Sequence, residues 1–226
     1  MSAFPAAASR RKIADVTTGS GLLAREDLLP VSEALSSLLP FGGLKRGGTT
    51  LIGPGKPGGT SLAVELLSGL SQAGHWCAAV GLADLGLVAA SEGGIALERF
   101  ILVPSPGHSP RWEQVLATLF EAVPAVLFAP AGPVKAPQAR KVTARAREKR
   151  TALVLFDPRG CWPEAADLRL EVTSSSWSGL GEGCGLLAGR SIEIEIKGKG
   201  AAARPRRGCL TPPAKSAASV DLRAVR

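Results

Sequence analysis

Tyrosine is absent from this chain, and aromatic residues make up only 4% of it. With 45% hydrophobic residues, the core has to be aliphatic, built from Leu, Val, Ile and Ala. Histidine is scarce as well. His75 stands at a helix–strand junction and His108 in a Pro/Gly turn, neither beside a nucleophile in sequence, so neither is assigned a catalytic role. The four cysteines, Cys77, Cys161, Cys184 and Cys209, form no C-x-x-C pair, and the spacing of a zinc site is missing. No long apolar run occurs either. The longest, WCAAVGLADLGLVAA (76–90), is interrupted by Asp84 and is shorter than a membrane span. No secretory signal pattern precedes the cysteines, so reduced thiols and a cytoplasmic location are expected.

Negative charge is the minority sign. Twenty-seven Lys and Arg face 19 Asp and Glu, a net charge of +8, and the pI is about 9.8. That balance suits an acidic partner such as nucleic acid or an acidic protein, and equally suits solubility alone. The 226 residues suffice for one domain with tails.

Residues 1–20 are small, polar and basic without apolar periodicity, which predicts a flexible N-terminus. Pro30 divides the leucine-rich stretch 22–39 into two short pieces, and Ser32 is placed to cap the second. Strand and helix patterns then alternate. TTLIG (49–53), WCAAVGL (76–82), ERFILV (98–103), PAVLFAP (124–130) and TALVLFD (151–157) read as strands. Helices are predicted over 61–73, 84–92, 112–121 and 137–149, the first with Leu62, Leu66, Leu67 and Leu70 on one face and Gly74 as its stop. This order predicts an α/β fold with a mostly parallel sheet and helices on both faces. LRLEVTSSS (168–176) and RSIEIEIKG (190–198) instead alternate apolar and polar residues, predicting an antiparallel pair added at the C-terminal end. Trp177, in the connector between them, is expected to tuck under the sheet. Residues 199–226 are rich in Ala, Pro, Gly and basic side chains, and are expected to be a disordered basic tail.

The stretch LIGPGKPGGTSL (51–62) has the form of a phosphate loop with one part missing. Such a loop, G-x-x-x-x-G-K-[ST], turns backbone N–H groups inward around phosphates, with a lysine on the β and γ phosphates and a hydroxyl on Mg²⁺. Gly53 and Gly58 have the required spacing and Thr60 holds the hydroxyl position, but Gly59 stands where the lysine belongs. Pro54 and Pro57 remove two further N–H donors. Lys56, at the crown of the loop, cannot take the lysine's place on the first helical turn. The strand PAVLFAP ends without the carboxylate that would hold Mg²⁺, whereas TALVLFD ends in Asp157, either a metal ligand or a strand-end turn residue before Pro158. No cofactor is therefore expected, with room left for weak ATP or anion binding.

Two basic segments stand out. On the helix 137–149, Lys141 and Arg145 share a face flanked by Arg140 and Arg147, while Ala139, Val142 and Ala146 face the sheet. Further on, Lys197, Lys199, Arg204, Arg206 and Arg207 form a cluster suited to phosphate or to a protein partner. No aromatic residues interleave these charges, so a base-stacking platform is not expected there.

GGLKRG (42–47), a strand, GPGKPGGTS (53–61) and a helix together have the layout of a RecA-type core. With LLPVSEALSSLLPFGGLKRGG, WCAAVGLADLGLVAASEGGIALERFILVP and LRLEVTSSSWSGLGEG followed by GKGAAARPRR, the chain resembles the actinobacterial ImuA-prime family from about Leu22 to Arg207. The resemblance implies a RecA-like, P-loop NTPase-type domain over 21–198 in which Gly53, Gly58 and Thr60 are a vestigial loop. It implies a role in the SOS response, as a non-catalytic accessory protein of the damage-inducible mutasome that supports translesion synthesis and induced mutagenesis. The implied partners are an ImuB-type inactive Y-family polymerase homologue and, indirectly, an error-prone C-family polymerase alpha subunit, with nucleoid association on DNA damage. At the activating glutamate's place after the second strand, the chain offers Ala83 and Asp84. A divergent DNA-dependent ATPase using Lys56 and Asp157, and a plain DNA-binding module, are the alternatives.

Overall fold

Alternate residues of the central strands are apolar on both sides, which requires a sheet covered on both faces. The computed structural model, which describes residues 27–179, 189–199 and 203–211, has that form. A two-stranded ribbon, β1 (Leu28–Leu29) and β2 (Leu44–Lys45), is joined by helix α1 (Glu33–Leu38). Ser32 caps α1 by accepting from the Leu35 N–H at 3.4 Å. Then follow β3 (Thr49–Ile52), α2 (Gly59–Gln72), β4 (Cys77–Val80), α3 (Leu87–Glu92), β5 (Phe100–Val103), α4 (Arg111–Ala122), β6 (Ala125–Phe128), α5 (Ala136–Glu148) and β7 (Ala152–Phe156). The chain ends its described course in β8 (Leu168–Ser178), β9 (Gly189–Gly198) and β10 (Arg206–Leu210).

These last strands and β3–β7 form one sheet in the order β10-β9-β8-β3-β7-β6-β4-β5. From β8 through β5 every pairing is parallel, and β8–β9 and β9–β10 are antiparallel. This is the mostly parallel α/β sheet with antiparallel C-terminal strands expected from the sequence, and β7 lies between β3 and β6. Ile52, Ala79, Leu127 and Val154 point to one side and join Leu62, Leu66 and Leu70 of α2 and Ile192, Ile194 and Ile196 of β9. Leu51, Val80, Val126 and Leu155 point to the other side and join Trp112 and Leu116 of α4 and Val142 of α5. The second side departs from an all-aliphatic core: Trp112 stacks on Phe128 at 5.1 Å, and Trp162 meets Phe128 edge-on at 6.3 Å.

Helix α2 stops at Gly74, whose φ of 87° lets the His75 N–H turn back to the Leu70 carbonyl at 3.2 Å. Asp167 fastens the start of β3, accepting from the Thr49 N–H at 2.9 Å while the Asp167 N–H donates to the Thr49 carbonyl.

The expected disordered tail needs correction. Residues 206–210 pair with 192–196 as β10, so the ordered sheet continues past residue 199. Leu210 is buried beside Ile192, which explains why so basic a segment joins the sheet. Its N-terminal arginines stay exposed and its last residue fills the core. The predicted flexible N-terminus, 1–20, and residues 212–226 lie outside the described residues.

Candidate functional site

The loop 53–58 leaves the carboxyl end of β3 and enters α2, so Gly53, Gly58 and Thr60 are brought together as the motif requires. Gly58 is the N-cap, with φ at 137°, and Thr60 is exposed on the first turn. Two of the loop's donors, however, are already used. The Gly53 N–H donates to the Leu170 carbonyl at 3.0 Å, and the Lys56 N–H donates to the Val172 carbonyl at 2.8 Å. Pro54 and Pro57 have no N–H to give. Four of the six residues 53–58 thus cannot turn a donor toward a phosphate, because the loop is zipped against β8.

Side-chain space is closed in the same way. A Cβ at Gly59 would lie 2.8 Å from the Phe156 ring, and one at Gly55 would lie 2.7 Å from the Val172 carbonyl oxygen. Phe156, the last residue of β7, occupies the volume through which a lysine stem at 59 would leave. Position 59 therefore has no room for the lysine a phosphate loop carries there unless Phe156 moves.

The acidic candidates divide. β6 ends in Phe128, followed by Ala129 and Pro130, with no carboxylate. Asp157 does lie beside the loop strand, its N–H donating to the Ile52 carbonyl at 2.9 Å. Yet it is only 2% exposed. Its Oδ1 accepts from the Cys161 N–H at 2.7 Å and its Oδ2 from the Trp162 N–H at 2.8 Å. Both oxygens are committed to the turn after β7, so Asp157 is the turn residue and not a free metal ligand. Asp84 is exposed and, with Thr60, Phe156 and Arg159, lines a cleft of about 370 Å³ at the carboxyl ends of β4, β6 and β7. Arg159 is fixed there, donating to the Pro130 and Ala131 carbonyls at 2.9 and 3.0 Å.

A cation that sequence reasoning missed stands at the other side of the loop. Arg190 of β9 donates through Nη1 to Ser61 Oγ at 2.9 Å and through Nε to Ser175 Oγ at 3.1 Å. Its guanidinium also lies 4.7 Å from the centre of the Trp177 ring. Partial burial holds Arg190 below its ordinary pKa. Trp177 is not tucked under the sheet as expected: it is the penultimate residue of β8 and is 53% exposed. The pairing register puts Trp177 opposite Arg190. The two are 13 positions apart in sequence, and only a known register brings them together.

The predicted basic residues separate into bound and free groups. Arg145 and Lys149 share Glu121 at 2.8 and 3.4 Å, and these cations draw the Glu121 carboxyl below its usual range. Arg140 lies 3.8 Å from Glu164, and Arg147 lies 3.9 Å from Asp167. Lys197 and Arg207 both pair with Glu195, which they hold below its usual range. Lys141, Lys199, Arg204 and Arg206 have no ion-pair partner among the described residues, and all four are exposed. Both basic segments reach Asp167: Arg147 lies near its carboxylate, and its carbonyl accepts from the Lys199 N–H at 3.0 Å. Ala139, Val142 and Ala146 are buried against the sheet as expected.

A family model described as the MT3502 N-terminal domain matches residues 37–164, from the end of α1 to the turn after β7. The uncharacterized protein Rv3395c of Mycobacterium tuberculosis is 32% identical over 151 residues, 63% of this chain and 71% of that protein. Among solved structures, the flagellar accessory protein FlaH from Methanocaldococcus jannaschii is similar with a TM-score of 0.49 and 14% identity, over 76% of this chain and 87% of that one.

Proposed function

The chain belongs to the MT3502 N-terminal domain family, and from that premise we propose that it is a non-catalytic, RecA-like accessory protein of a damage-inducible mutasome. It supports translesion synthesis and induced mutagenesis by protein contacts. Its direct partner is an ImuB-type inactive Y-family polymerase homologue, through which an error-prone C-family polymerase alpha subunit is reached. The observation that carries the non-catalytic part is the loop itself, with the Gly53 and Lys56 amides donated to β8 and Phe156 standing against Gly59. The mutasome and its partners come from the sequence resemblance, and the exposed cations Lys141, Lys199, Arg204 and Arg206 supply a surface for an acidic partner.

Two measurements test the reading. Titration calorimetry with Mg-ATP, with and without single-stranded DNA, is expected to give no heat. Micromolar binding, with DNA-stimulated phosphate release abolished by Lys56→Ala, would replace it with the ATPase alternative. Co-purification with the ImuB-type partner is expected to survive Gly58→Ala and to weaken on joint substitution of Arg204 and Arg206 by Glu. These substitutions are a cleaner probe than deletion of 199–226, because deletion also removes β10.

A further inference from the structure

Strands β8 and β9 outrun the parallel sheet. β3 pairs with β8 only over 168–170, while the β8–β9 ladder continues to Ser178 and Gly189. The overhanging part of β8 reads TSSSWS, five hydroxyls and one ring. Side-chain direction on β9 follows from burial: Ile192, Ile194 and Ile196 enter the core on the α2 side, so Arg190, of the same parity, projects to that side. Its bond to Ser61 of α2 agrees. Glu193 and Glu195 have the opposite parity and project to the other face. The face that carries Trp177 and Arg190 therefore has no carboxylate from the overhanging strand residues 173–178 and 189–193. Lys56 is exposed at the crown of the neighbouring loop.

Trp177 differs from an ordinary exposed ring. Its partner Arg190 is held by two serine hydroxyls, which fixes the cation while the ring stays 53% exposed. A ring serving as a protein hot spot sits among other groups that exclude water. Among the described residues, the other exposed large apolar side chains, Phe41, Trp76, Leu87 and Val88, all lie outside the hairpin. A ring beside an oriented arginine matches a ligand that alternates flat faces with single negative charges.

We propose that the Trp177–Arg190 pair is a stacking and phosphate-binding platform for single-stranded nucleic acid. One base stacks on the open face of Trp177, the adjoining phosphate meets the Arg190 guanidinium, and Lys56 extends the positive path along the backbone. Trp177 and Arg190 lie outside the segment the family model matches, and the pair makes no use of the loop's amides. Among the described residues, the basic side chains of α5 and β10 have no such aromatic partner.

The test is fluorescence-anisotropy titration of a dye-labelled, unstructured oligothymidine of about 20 nucleotides with the full chain at low salt. In a Trp76→Phe background, quenching of the remaining exposed tryptophan reports contact at Trp177. Trp177→Ala is expected to weaken binding by about tenfold to a hundredfold, Trp177→Phe by less than about threefold, and duplex DNA is expected to bind less tightly. Because Trp177 is exposed, the alanine variant should melt like the parent. Arg190→Gln is expected to weaken binding and reduce its salt dependence. The proposal fails if Trp177→Ala binds like the parent, if an abasic phosphate chain competes as well as oligothymidine, or if the chain does not bind at low salt. Loss of binding only on substituting Arg140 and Lys141 would move the site to α5. Any of these leaves the accessory-protein reading intact, since that reading is judged by partner co-purification.

Discussion

Replacing Asp157 decides whether the end of β7 is a structural staple or a metal ligand. Its two oxygens accept from the Cys161 and Trp162 N–H groups, and it is 2% exposed. Hydrogen bonds to a charged group contribute about 1.5–3 kcal/mol each, and removing the acceptor leaves buried donors unpaired. Losing both in Asp157→Ala should cost about 3–5 kcal/mol, allowing for partial relaxation of the turn. Trp162 is then no longer held edge-on against Phe128, so the second core face loosens too. With a denaturation slope of about 2.5 kcal/mol per molar urea, the midpoint should fall by about 1–2 M. Asp157→Asn keeps one acceptor but turns an amide N–H₂ toward the other donor, and should cost about half as much. The assay is urea denaturation followed by circular dichroism, with and without Mg²⁺. A midpoint unchanged in Asp157→Asn, combined with loss of a Mg²⁺-dependent activity, would refute the staple reasoning.

Gly59→Lys restores the motif but not its function: the Phe156 ring must move, a cost of about 1–3 kcal/mol, and calorimetry with Mg-ATP should remain silent. A micromolar affinity in that variant would mean that the lysine was the only part missing. Truncation after residue 199 removes β10 and uncovers Ile192 and Ile194, so its melting temperature should fall. Burial pushes the Cys77 thiol up to about 12. The folded state thus keeps its proton where the unfolded state has lost it, and this contribution to stability declines as pH rises from about 9 to about 12. Cys77→Ser should flatten that alkaline limb in a pH series of melts. Alkylation at neutral pH with mass mapping should label exposed Cys209 and spare Cys77.

Local patterns carried much of the architecture. Period-two and period-3.6 repeats are imposed by the chain's own geometry, so the alternating strands and helices were legible without any tertiary information. The missing lysine at Gly59 and the missing carboxylate after Phe128 were equally visible, being matters of residue identity. A closed loop was half legible, since Pro54 and Pro57 lack donors wherever the chain runs. That the remaining amides of Gly53 and Lys56 are spent on β8 depends on a pairing across more than a hundred residues.

Asp157 was left open between two roles because its partners, though only four and five residues on, are backbone groups that every residue carries. The segment after residue 199 looked like a tail because its few apolar residues form no pattern of their own. Leu210 gains a place only when β9 offers an unpaired edge and a core beside it. The Trp177–Arg190 pair is a consequence of hairpin register, which fixes opposite residues irrespective of their separation in sequence. What the sequence determined by itself was the set of elements and the identity of the missing catalytic groups, because both follow from short-range chain geometry and side-chain chemistry. What only the tertiary structure decided was which amides, carboxylates and cations are already engaged, because that depends on contacts between distant strands.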